Sequence, residues 1–253
     1  MAARFLHIRA LPAWVLALLL LLAGAPVMAK PVGLLATALP HVARKVVHAL
    51  PLRIVAFGSS STEGVGASSP AMTYPARLQA FLRAALPVPV EVVNAGIGGQ
   101  DADEMLGRIP AIVAHQPDLV IWQTGSNDPL RDVPLARFEQ KTREGILLLR
   151  AAGADVMLME PQDCDVLRAH SGAFAYRDAL RALAARMQVP LVRRYDLMHA
   201  WIAEGVLTRT QMLYSDGLHM ADGGYAQLAE AVGRQLLSLL GRDGDTHFAG
   251  AAR

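Results

Sequence analysis

Arg53-Ile54-Val55-Ala56-Phe57 runs without a break into Gly58-Ser59-Ser60-Ser61-Thr62-Glu63-Gly64-Val65-Gly66. A short apolar, β-branched run that stops at glycine and hydroxyl residues reads as a buried strand delivering its chain into a tight turn. Outward from it the same alternation repeats. Strands are expected at 53–57, 90–94, 119–123, 155–159 and 190–192, and helical periodicity falls between them at about 74–85, 103–115, 135–151, 173–187 and 224–240. Parallel strands need crossover connections, and helical crossovers cover the sheet on both faces, so the alternation predicts an α/β protein with a parallel sheet. Ligands of open sheets bind beyond the carboxyl ends of the strands. The segments that follow the strands are therefore where chemistry is expected.

The 253 residues suffice for one sizeable domain. With 53% hydrophobic and 18% charged residues the chain is excluded from the disordered class. Residues 1–29 read as a signal peptide: Arg4 and Arg9 form a positive start, Trp14 to Ala23 is leucine-rich, and Val27-Met28-Ala29 offers a cleavage site after Ala29. An uncleaved anchor is the alternative. Cleavage leaves 22 basic against 22 acidic residues, so the mature chain has no basic field for nucleic acid. A periplasmic or secreted protein without stable membrane insertion after signal removal is expected. Residues 30–50, with His41, Arg44, Lys45 and His48, form a lead-in segment or a short helix, read here as a solvated connector. The main domain occupies 51–241, and 242–253 reads as a flexible tail. The lone cysteine, Cys164, has no partner for an intramolecular disulfide.

Three hydroxyls reach the end of the first strand at Ser59, Ser60 and Ser61, where a serine is exposed at the active edge of the sheet. The lysine of a phosphate-binding loop is absent. The second strand leads into Asn94-Ala95-Gly96-Ile97-Gly98-Gly99, and the third into Gln123-Thr124-Gly125-Ser126-Asn127-Asp128. Backbone N–H groups and an asparagine amide at this edge could stabilise the oxyanion of a tetrahedral intermediate. Near the C-terminus, Asp216-Gly217-Leu218-His219 spaces a carboxylate three residues before an imidazole. Asp216 can face Nδ1, leaving Nε2 of His219 to take and return a serine proton. Asp216, His219 and Asp222 invite a metal reading, but no second histidine lies near them. Cys164 stands between Asp163 and Asp165, which disfavour its thiolate. Trp122 reads as core and Trp201 as helix packing.

In this order, Gly58-Ser59-Ser60, Asn94 to Gly99, Gly125-Ser126-Asn127-Asp128 and Asp216-x-x-His219 resemble the four blocks of the SGNH/GDSL hydrolases, across roughly residues 53–240. The resemblance implies a flavodoxin-like three-layer α/β/α sandwich with a mainly parallel five-stranded sheet. It implies metal-free, cofactor-free ester hydrolysis through an acyl-enzyme, with Ser60 as nucleophile, His219 as base and Asp216 orienting it. The oxyanion hole would comprise the N–H groups of Ser60 and Gly99 and the side chain of Asn127. Ser59 stands where the family has aspartate, so Ser59, Ser60 and Ser61 compete for the nucleophile and register favours Ser60. Gly98 competes with Gly99, which the spacing from Asn94 favours. The expected substrate is a small ester or an acylated glycan. Acyl transfer to a glycan hydroxyl is the alternative, and a non-catalytic binding module is the reading from another class. The loops at 61–74, 129–135 and 161–172 carry no motif that selects a substrate.

Overall fold

The computed structural model describes residues 38–242, so the signal-peptide segment and residues 243–253 of the tail lie outside the described residues. Five strands form one sheet: β1 (Leu52–Gly58), β2 (Val90–Gly96), β3 (Leu119–Gln123), β4 (Asp155–Met159) and β5 (Leu191–Val192). Their order is β2-β1-β3-β4-β5 and every pair is parallel. This is the flavodoxin-like order, in which chain direction across the sheet reverses between β1 and β3 and opens a crevice there.

Side chains alternate along each strand, so two cores form. Ile54, Ala56, Leu119, Ile121, Met157 and Met159 face one core; Val55, Phe57, Val120, Trp122, Val156 and Leu158 face the other. The first is covered by α1 (Pro40–Val47), α3 (Tyr74–Ala85), α8 (Arg194–Ala203) and α10 (Asp222–Leu239). The second is covered by α4 (Ala102–Ala114), α5 (Leu135–Ala151) and α7 (Ala173–Met187). Short helices α2 (Ser60–Glu63), α6 (Asp165–Ala169) and α9 (Arg209–Met212) lie in the connections. Among the described residues no helix is long and apolar enough to cross a membrane.

The structure differs from the sequence reading in three places. Residues 40–47 are a helix rather than a solvated connector, because Leu39, Val42 and Val46 are buried in the first core. Leu39 has no capping side chain, and Asp155 at the start of β4 accepts the Val42 N–H instead (3.0 Å). Second, β2 continues to Gly96, since Gly58 and Gly96 pair at the ends of their strands. Third, α6, α8 and α9 were not expected as helices. The first turn of α8 begins with Arg194, a charged residue that is nonetheless fully buried, and this breaks the apolar stripe a sequence pattern relies on.

Candidate active site

β1 ends at Gly58, and Ser60 is the first residue of α2, a single turn closed by Gly64 in the left-handed region (φ +106°). Its N–H therefore has no acceptor within the helix. Glycine at 96 lets this turn lie on the end of β2, because a Cβ there would fall 2.0 Å from the Glu63 nitrogen. Glycine at 66 (φ +90°) plays the same part on the other side, bringing the chain after α2 against the carbonyl of Met220 and Cβ of His219.

Asp216 and His219 belong to a turn between α9 and α10, pinned at its base by a bridge between Leu213 and Met220. Oδ1 of Asp216 accepts the N–H groups of Leu218 and His219, both at 2.9 Å. Its Oδ2 lies 2.6 Å from Nδ1 of His219, and Nε2 of His219 lies 2.8 Å from Oγ of Ser60. Burial raises the Asp216 carboxyl, but hydrogen bonds from the imidazole and these two N–H groups outweigh it and hold the group below the usual carboxylate range. A carboxylate on Nδ1 fixes the proton there, so Nε2 is the atom that accepts from Ser60.

The same geometry separates the three adjacent serines. Ser59 is buried, with its N–H and hydroxyl both on Oε1 of Gln123 at 2.9 and 3.1 Å. Ser61 is buried and its hydroxyl has no partner. Ser60 is the one in contact with the imidazole. Gly98 and Gly99 separate as well: the Gly98 N–H donates to Oε2 of Glu63 (2.8 Å), whereas Gly99, at φ +77°, borders open space. The Asn127 amide donates to the Gln100 carbonyl (2.8 Å) and has a second N–H to offer. Arg131 ties the same loops together through the Gly99 carbonyl, Asp101 and Glu104.

Other conspicuous residues have structural roles. Asp222 accepts from the N–H and hydroxyl of Ser68 at 2.8 and 2.5 Å. Cys164 is buried in the first core, where desolvation pushes its thiol up. Trp122 stacks on Phe57 with ring centroids 5.4 Å apart. Sequence reasoning gave no role to Gln123, Gln162 or Arg194, which pack beneath the triad; glutamines after strands and an arginine opening a helix carry no pattern that marks them.

Asp128 bears on stability. Its Oδ1 accepts the Ala102 N–H at the start of α4 (2.9 Å), its Oδ2 is buried without a partner, and burial followed by the neighbouring Asp101 carboxylate pushes its pKa up to about 6. A carboxyl raised on folding favours the protonated form. Its contribution is therefore full below the ordinary carboxylate pKa of about 3.9 and is lost as pH rises through about 6. Asn at 128 keeps an acceptor for Ala102 without the charge. Thermal melts from pH 4 to 7 are expected to show Asp128→Asn gaining on the parent as pH rises, by about 3 kcal/mol at neutrality. A constant difference across that range would contradict it.

Comparison with known proteins places the chain in a family. Residues 28–240 match the model of the Non-GDSL lipase-like family. The chain is 31% identical over 157 residues to thioesterase 1/protease 1/lysophospholipase L1 of Escherichia coli, covering 60% of this chain and 70% of that protein. It is 33% identical over 153 residues to esterase TesA of Pseudomonas aeruginosa, covering 59% and 71%. Among solved structures, TesA superimposes with a TM-score of 0.62 at 29% identity, over 75% of this chain and 99% of that one. A two-domain esterase active on acetylated mannans shares the fold, with a TM-score of 0.68 at 20% identity; this chain spans 54% of its length. With the sheet order, the Ser60 turn and these matches in agreement, the chain belongs to the Non-GDSL lipase-like family and is an ester hydrolase of the SGNH/GDSL type.

Proposed function

We propose that this protein is an exported enzyme that cleaves uncharged carboxylic esters through an acyl-enzyme on Ser60. One observation carries the reading: Ser60, His219 and Asp216 form an unbroken hydrogen-bonded line at the carboxyl edge of the sheet. His219 Nε2 takes the proton as Ser60 Oγ bonds to the ester carbonyl carbon, and the carbonyl oxygen becomes the oxyanion. The proton then passes to the departing alkoxide as the ester C–O bond breaks. Water adds to the acyl-enzyme with its proton going to Nε2, and that proton returns to Ser60 as the acid leaves. The Ser60 and Gly99 N–H groups and the Asn127 amide are assigned to the oxyanion. Gly98 is not, because its N–H is held by Glu63.

For the substrate, support comes from the relatives and the rim of the site. The relatives at 29–33% identity are named as thioesterase/lysophospholipase, arylesterase and esterase. Val65, Ile97 and Tyr214, on the three loops that carry Ser60, Gly99 and Asp216, are exposed and lack charge, which suits an apolar acyl group. Export rests on the leader-like residues 1–29. A hydrolysis screen over acyl esters of increasing chain length, lysophospholipid and acetylated glycan, with Ser60→Ala as blank, tests the proposal. Turnover of the acyl esters is expected; turnover of acetylated glycan alone would overturn the acyl assignment. Acyl transfer is read from the same assay when a glycan acceptor is added: transfer yields acylated glycan, hydrolysis only free acid.

A further inference from the structure

Beneath the triad, a line of buried side chains joins the turn that carries Ser60 to the turn that carries His219. Oε1 of Gln123 accepts from the Ser59 N–H, the Ser59 hydroxyl and the Thr62 hydroxyl at 2.9, 3.1 and 3.3 Å. Nε2 of Gln123 donates to Ser126 Oγ (3.2 Å), which donates to Oε1 of Gln162 (3.0 Å). Nε2 of Gln162 then donates to the carbonyl of Leu218 (3.1 Å), the residue before His219. Nη2 of Arg194 donates to Oε1 of Gln162 (2.6 Å), and its Nε to the Glu160 carbonyl (2.8 Å). Ser59, Thr62, Gln123, Ser126, Gln162 and Arg194 are all buried.

The direction of this line is fixed at both ends by groups that have one role each. A backbone N–H and a guanidinium can only donate, and a backbone carbonyl can only accept. Gln123 must therefore turn its oxygen to Ser59, and Gln162 its oxygen to Arg194 and its nitrogen to Leu218. The Ser126 hydroxyl is left to accept from one glutamine and donate to the other. Neither amide can flip without setting like against like in a buried place, where an unmatched polar group is costly. Position 59 inherits the constraint. Its side chain meets an oxygen, so it has to be a donor; an ionised aspartate there would place acceptor against acceptor.

We propose that Gln123 and Gln162 are positioning residues that hold the Ser60 and His219 turns in register, and that serine stands at 59 because only a donor fits the Gln123 oxygen. The inference rests on the reading of Ser60 and His219 as nucleophile and base. None of the six side chains touches a reacting atom; their effect reaches catalysis through the 2.8 Å Ser60–His219 contact.

The test uses the full chain with Ser59→Asp, Ser59→Ala and Gln162→Glu, read as kcat and KM on 4-nitrophenyl butyrate, fluorophosphonate labelling rate and melting temperature, with Ser60→Ala as blank. Ser59→Asp restores the residue that the family carries, yet is expected to lower kcat about tenfold or more with KM within twofold, and to lose more than Ser59→Ala. Gln162→Glu keeps an acceptor for Ser126 and Arg194 but sets a carboxylate oxygen, in place of the donor, against the Leu218 carbonyl. It is expected to lower kcat and labelling rate by a similar factor, again without raising KM. A merely structural role would lower the melting temperature and leave kcat intact well below it. Ser59→Asp at or above the parent rate, or Gln162→Glu with the parent kcat, overturns the inference; if Ser59→Asp does not fold, Gln162→Glu decides alone. Turnover surviving in Ser60→Ala would instead overturn the underlying reading of the site.

Discussion

Ser60→Ala is expected to lower kcat on a 4-nitrophenyl ester by roughly 10⁶-fold, the scale seen when a serine nucleophile is removed from a triad. The fold should be untouched: Ser60 is partly exposed, and the turn is held by Ser59 and Thr62 on Gln123 and by Gly96 against α2. Its melting temperature should therefore stay within a few degrees of the parent's, as for a surface change of about 0.5 kcal/mol. A fluorophosphonate is expected to add once to the parent, on Ser60, and not to the variant. Labelling retained in Ser60→Ala would show that a different nucleophile acts. The neighbouring hydroxyls are poor candidates, since Ser59 is occupied by Gln123 and Ser61 is buried with no hydrogen-bond partner.

Asp216→Asn is expected to cost about 10⁴-fold in kcat, through the proton on His219. Oδ1 of Asp216 is committed to two backbone N–H groups, so the asparagine must keep its oxygen there and turn its NH₂ toward Nδ1. Nδ1 then becomes the acceptor and Nε2 carries the proton. The imidazole faces Ser60 with a donor where a base is needed. In the parent, rate is expected to fall in acid because an imidazolium cannot take the serine proton. In the variant raising the pH should not restore rate, because the fault is the tautomer. An Asp216→Asn protein within tenfold of the parent would remove Asp216 from the mechanism. Stability should also respond: the folded carboxyl lies below its ordinary range, so its contribution is present above that range and lost as pH falls through the lowered value. The variant lacks this acid-sensitive contribution, so its deficit in melting temperature should shrink in acid.

The sheet and its main helices were legible because their signals are local. Helices at Tyr74–Ala85, Leu135–Ala151 and Ala173–Met187 fall where periodicity places them, and the strands at Leu119–Gln123 and Asp155–Met159 are apolar apart from Gln123 and Asp155 at their ends because both faces are buried. The Asp216–His219 pair was legible for the same reason, since three residues in one turn suffice to bring carboxylate and imidazole together. Helix α1 was legible only as one of two alternatives, because what makes it a helix is remote: Asp155 supplies its cap from 113 residues away, and the first core buries its apolar side.

The sequence by itself determined the fold class, the order of the glycine- and serine-rich turns along the chain and the chemistry that Ser60, Asp216 and His219 could perform. It ranked Ser60 ahead of Ser59 and Ser61 by register and Gly99 ahead of Gly98 by spacing, without a contact to separate them. Only the tertiary structure distinguishes their contacts. Gln123 takes Ser59, burial takes Ser61, Glu63 takes Gly98, and His219 arrives across 159 positions of chain to meet Ser60 alone. The physical reason is that a nucleophile is defined by which hydroxyl its base can reach, and that distance exists only once the sheet has brought the two turns to the same edge.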